Sequence, residues 1–141
     1  MAILSKYISG LVAALAALLC PITPLIITAT LFIAVDFVTG IYASYVAAKK
    51  SGEEFRIESR KAWRTIYKLC FVLTGIVMTW LIDCCVLGFM ELNLANLFTG
   101  FVCGVELWSF IENASTISQS KLFVWLGRWL RGKLRKEVGD E

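Results

Sequence analysis

The sequence predicts an all-α membrane protein: about four transmembrane helices in two hairpins, then a C-terminal amphipathic surface helix. Three observations predict it. The 141 residues are 58% hydrophobic with a mean hydropathy of +0.73, which leaves too little polar side chain to cover a water-soluble fold. The fourteen Lys and Arg fall in three clusters, at residue 6, at 49–68 and at 121–136. Between them, 7–48 and 69–120 hold no basic residue, and each is long enough to cross a bilayer and return. Loops that stay in the cytoplasm keep an excess of Lys and Arg. All three clusters therefore fit on one side, with both termini and the central loop cytoplasmic.

Residues 3–20 predict the first span, about 27 Å of helix against a hydrocarbon core of about 30 Å. Cys20-Pro21-Ile22-Thr23-Pro24 follows. Two prolines so close predict a turn or a sharp kink. A kink alone would leave three spans and put Lys6 outside. Residues 25–48 predict the second span, with Asp36 its only charge. Tyr42 and Tyr45 near its inner end, with Trp63 and Tyr67 beyond, form an interfacial aromatic belt. Residues 49–64 predict a basic loop, with Ser51-Gly52 as a turn signal.

The third span is predicted at 65–86, with Lys68 snorkelling back to the inner surface and Asp83 near the outer end. Residues 87–93 make a short outer turn. The fourth span, 94–115, carries Glu106 near its centre and Glu112 near its inner end. Residues 1–117 thus form a transmembrane domain and 118–141 a basic tail. In the tail, Leu122, Trp125, Leu126, Trp129, Leu130 and Leu134 recur at helical spacing, opposite Lys121, Arg128, Arg131, Arg135 and Lys136. Tryptophan and leucine opposite arginine suit a helix lying on an anionic bilayer. Trp125, Trp129, Arg128, Arg131, Arg135 and Lys136 are its expected membrane contacts. Docking on a partner protein is the alternative.

Asp36 and Glu106 are the candidate functional residues. Both fall near mid-bilayer, and no cation is predicted at that depth. An unpaired charge there costs about 2.5–3.5 kcal/mol, so the acids must be neutral, hydrogen-bonded or wet. They line a pore or interface, or they join helices by hydrogen bonds. Thr39 and Gly40 follow Asp36 at i+3 and i+4, a small polar stripe that admits another helix. Gly100 and Gly104 form a Gly-x-x-x-Gly pair, a close-packing device of spanning helices. Thr99, Cys103, Glu106, Ser109 and Asn113 fall near one face of the fourth helix.

There is no His, and the five Cys lack zinc-type spacing. Neither a nucleophile elbow nor a phosphate loop is present. Nothing points to an enzyme, a metal or another cofactor, and without a finger motif nucleic acid is not expected as a partner. Cys20, Cys84 and Cys85 fall near the outer ends of spans. They either form a disulfide in an oxidising compartment or serve as small apolar residues. The residues alone leave three functions open: a pore-forming homo-oligomer, a small proton-coupled transporter or ion channel, and a membrane-anchored adaptor.

Two motifs narrow the choice. Asp36-Phe37-Val38-Thr39-Gly40 fits Asp-x-x-Thr-Gly, and a basic loop follows it. Glu106-Leu107-Trp108-Ser109-Phe110-Ile111-Glu112-Asn113 fits Glu-x-x-Ser-x-x-Glu-Asn. In this order and at this separation, the pair resembles the bacteriophage holin family, which also includes clostridial toxin-secretion holins. The resemblance covers roughly residues 10–115. It implies a small inner-membrane protein that oligomerises and, at a set time, makes lesions through which an endolysin or a toxin crosses. It also implies that Asp36, Thr39, Gly40, Glu106, Ser109, Glu112 and Asn113 are the motif positions. The long basic tail and the cysteine content depart from the family pattern.

Overall fold

The computed structural model describes the backbone of residues 2–52, 54–55, 59–118 and 120–138, and the side chains of these except 2, 3, 15, 130, 131 and 134–138. It is helical almost throughout. α1 spans Ala2–Leu19, a 3-10 turn Cys20–Ile22, α2 Thr23–Ser51, α3 Ser59–Leu81, α4 Leu94–Ser118 and α5 Lys121–Val138. α3 ends in a widened π-helical turn, Ile82–Val86.

The first predicted hairpin is replaced by a continuous rod. The chain keeps right-handed helical geometry through Leu19 and Ile22, and the Thr23 amide bonds the Cys20 carbonyl. Pro24 stands in the first turn of α2, where its missing N–H has no intrahelical acceptor to lose. The prolines thus tighten the helix locally without reversing it. Leu4–Ser51 is one apolar helix of 48 residues, about 72 Å long and over twice the thickness of a hydrocarbon core. With Ser59–Val86 and Leu94–Ser118 it makes three helices among the described residues long and apolar enough to cross a membrane, where the sequence predicts about four. α1 does not lie alongside α2; its described side chains up to Leu18, including Leu4, Tyr7 and Leu11, are exposed, and Leu19 packs against the core.

α2, α3 and α4 form the bundle, with α4 packed most closely along α2. The contact follows alternating steps of three and four: Ala29, Ile33, Asp36, Gly40 and Ala43 on α2; Ala95, Thr99, Val102 and Glu106 on α4. That spacing keeps one stripe of each helix facing the other. Ile22, Ala29, Ile33, Val72, Ile76 and Val102 make the apolar core. It occupies the half of the bundle far from the basic residues, called here the far half. α3 meets α4 there through Gly75, whose missing Cβ makes room for the Phe98 ring; an added Cβ would stand 2.4 Å from its tip.

At the opposite, basic end, Gly52 closes α2 in the left-handed conformation (φ 73°), its N–H on the Ala48 carbonyl. Only glycine adopts this readily. Lys50 donates to the Thr116 carbonyl at 3.5 Å, which places the ends of α2 and α4 at one level. Tyr42 stacks near Tyr45, and Trp63 lies beside Tyr67. At the far end, both Asp83 carboxylate oxygens accept from the first α4 amides, Leu94 and Ala95, at 3.0 Å. α3 thereby caps α4. Cys20, Cys84 and Cys85 are free thiols.

Candidate functional site

The centre of the bundle holds a charged network. Asp36 on α2 and Glu106 on α4 face each other because both continue the buried stripes of their helices. Lys68 on α3 reaches between them. Its Nζ donates to Glu106 Oε2 at 2.7 Å and to Asp36 Oδ2 at 3.4 Å. Asn113 Nδ2 donates to Asp36 Oδ1 at 3.1 Å and approaches Thr39 Oγ1 at 3.5 Å. Thr39 in turn donates to the Val35 and Asp36 carbonyls of its own helix. The Glu106 side chain is 4% exposed and that of Asp36 14%, whereas Lys68 keeps 38%.

The two acids therefore share a cation that the sequence reading assigned to the surface. Asp36 lies about 20 Å along the helix from Lys49, and Lys68 about 13 Å from the start of α3. The long lysine stem covers the remaining distance. Snorkelling outward would have left two carboxyls unpaired in the bundle. Turned inward, Lys68 gives both carboxyls a cation while its side chain stays 38% exposed, so it gives up only part of its hydration.

A cavity of about 730 Å³ opens from this network towards the basic end. Asp36, Phe37, Gly40, Ile41 and Ser44 line it from α2, Lys61, Arg64, Thr65, Tyr67 and Lys68 from α3, and Ser109 and Asn113 from α4. Lys61 Nζ donates to Ser44 Oγ at 2.9 Å. Gly40 lies under Asn113, where an added Cβ would stand 3.4 Å from Nδ2, in ordinary contact.

Of the expected site residues, Asp36, Thr39, Gly40, Glu106, Ser109 and Asn113 meet at the network and cavity. Glu112 is not among the cavity-lining side chains. Gly100 and Gly104 lie elsewhere, on the exposed face of α4 with Leu97 and Phe101, and nothing stands within 4 Å of where their Cβ atoms would be. In α5, Trp125 and Trp129 stack with ring centroids 6.3 Å apart, and Lys133 sits over Trp129 at 5.6 Å. Both tryptophans and Arg128 are exposed, while Gly127 faces inward. The side chains of Arg131, Arg135 and Lys136 lie outside the described residues.

The bacteriophage holin family matches the chain over residues 13–130. The chain belongs to the bacteriophage holin family. Comparisons with curated proteins and with solved structures gave no match. The holin match begins inside α1, spans the bundle and both motifs, and ends within α5. Its reach to residue 130 places the first half of the tail helix inside the holin pattern, so that part of the tail is no departure from it.

Lys61, Arg64 and Lys68 are the functional candidates that sequence reasoning missed. Their signal was present: 61, 65, 68, 72 and 76 mark one stripe of a helix. A loop over 49–64 hides that stripe, because the α3 helix starts at Ser59, six residues before the predicted span. The capping role of Asp83 is not legible locally, because its partners belong to the next helix.

Proposed function

We propose that copies of this holin-family chain associate in a bacterial cytoplasmic membrane and open lesions through which a muralytic enzyme or a toxin crosses. The observation that carries this reading is the Asp36–Lys68–Glu106–Asn113 network in the centre of the bundle. Ionisable side chains within membrane segments are rare and mark paths or assembly interfaces. A simple anchor has no use for them.

The lesion forms between copies. Three helices packed about 8–10 Å apart enclose no lumen for a protein, and Ile22, Ile33 and Ile76 fill the far half. The exposed Gly100–Gly104 face of α4 is the proposed contact between copies, since small residues let helix backbones approach in lipid. On assembly, Asp36, Glu106 and Lys68 exchange internal partners for those of a neighbour or for water. Thr39, Gly40, Ser109, Glu112 and Asn113 line the path that this opens. Trp125, Trp129, Arg128, Arg131, Arg135 and Lys136 hold α5 on the anionic surface. The basic end faces the cytoplasm. With α1 continuing beyond the far half, the N-terminus and Lys6 then lie outside, in place of the cytoplasmic position the four-span reading gives.

Inducible expression in a bacterium, with and without a co-expressed muralytic enzyme, tests this. Abrupt growth arrest, release of a large cytosolic marker and lysis only with the enzyme are expected. The buried ion network also suits a proton-coupled transporter. A graded proton leak without protein release would replace the lesion reading with that one.

A further inference from the structure

The cavity at the basic end has unequal charge. Lys68 is taken by two carboxyls, Asp36 and Glu106. Nearer the mouth stand Lys61 and Arg64, one turn apart on α3. Among the described residues Lys61 donates only to the Ser44 hydroxyl, and that hydroxyl donates its own proton to the Gly40 carbonyl. Arg64 has no hydrogen-bond or ion-pair partner among the described residues. Asp36 is the sole acid among the described lining side chains, and it is already held by Lys68 and Asn113. Two cations therefore face a polar cavity in which no described lining side chain supplies them a free anion.

The walls narrow the anion's chemistry. Phe37, Ile41 and Tyr67 give the cavity apolar flanks beside its cations. Trp63 and Tyr67, both more than half exposed on the same turns of α3, have the amphipathic rings that mark headgroup level. An arginine fork with a neighbouring lysine matches phosphate oxygens. Basic pockets between spanning helices take anionic lipid headgroups.

We propose that this cavity binds the phosphate group of an anionic phospholipid from the leaflet at the basic end, gripped between Lys61 and Arg64. The site needs the chain to sit in a membrane. It does not need the chain to make lesions, so its test uses no lysis readout.

The full chain is purified in neutral detergent and titrated with phosphatidylglycerol, phosphatidylcholine or inorganic phosphate. Bound lipid is counted by native mass spectrometry and the thermal midpoint is followed. Phosphatidylglycerol is expected to bind and stabilise more than either alternative. The K61Q/R64Q pair should weaken it about tenfold or more, while K49Q/R60Q, an equal charge loss outside the cavity, should change it less than about twofold. Ser44→Asp is the second variant, placing a carboxylate beside Lys61 where the phosphate would sit; it too should abolish the preference. Equal weakening by both charge pairs would mean general surface attraction and overturn the site. So would a parent protein indifferent to headgroup, or one stabilised equally by inorganic phosphate.

Discussion

The two halves of the three-helix bundle are built on opposite principles. The far half is closed by shape: Ile22, Ile33 and Ile76 are fully buried, Phe98 fills the notch at Gly75, and Asp83 ties α3 to the start of α4. The basic half is held by charge around open space: Lys68 bridges Asp36 and Glu106, and the cavity runs from them to Lys61 and Arg64. The same helices make both halves, so the difference lies in what occupies the facing stripes. Apolar side chains interlock to a fixed density. Ionic partners can be exchanged for others of the same charge, or for water. The proposed lesion-forming role requires a chain that stays assembled and later reorganises, and such a chain gains from keeping these two properties apart. The lesson is that the charged half is where a conformational change can begin.

Four substitutions break or sharpen that contrast. The largest effect is expected from Lys68→Met, which strands two acids in the bundle. Removing one partner of a fully buried pair costs about 3–5 kcal/mol; the exposure of Lys68 reduces this to about 2–3 kcal/mol. Thermal unfolding in detergent should register the loss, and D36N/K68M/E106Q should recover most of it. A single K68M variant as stable as its parent would show that the network holds nothing together.

Gly75→Ala probes the far half by forcing its Cβ against Phe98. Overpacking of this kind costs about 1–3 kcal/mol, read as a lower midpoint and partly relieved by Phe98→Leu. No relief from the smaller side chain would locate the strain elsewhere. Asp83→Ala removes both acceptors at the α4 start, at about 1 kcal/mol. Amide exchange should rise first at Leu94 and Ala95; uniform exchange along α4 would remove the capping role. The smallest effect on the single chain is expected from G100L/G104L, within about 0.5 kcal/mol, because among the described residues nothing stands within 4 Å of either Cβ position. Its effect should appear between copies, as a loss of crosslinked oligomers. Oligomers formed as well as by the parent would move the contact to another face.

Much of the helical layout is legible in the sequence. The apolar runs of α3 and α4 follow from segments without basic residues, and the stop at Gly52 from a glycine after a polar pair. The acids were legible as anomalies, since a carboxyl inside an apolar run demands a partner. The partner was not. Lys68 looked like one more member of a basic cluster, and only the register between α3 and its neighbours turns it inward. The proline segment misled for a related reason. Proline forbids a helix interior yet suits a first turn, and local sequence does not say where a new first turn begins.

By itself, then, the sequence determined a basic-sided, multi-helix membrane protein with carboxyls buried in its apolar segments, because hydrophobicity and charge are summed along the chain. Only the tertiary structure decided that α1 continues into α2 without reversing, that one lysine serves two acids, and that Lys61 and Arg64 face an open cavity. Those outcomes depend on the rotation and depth of each helix relative to the others. Contacts between residues more than thirty positions apart set that geometry, as between Lys68 and both Asp36 and Glu106.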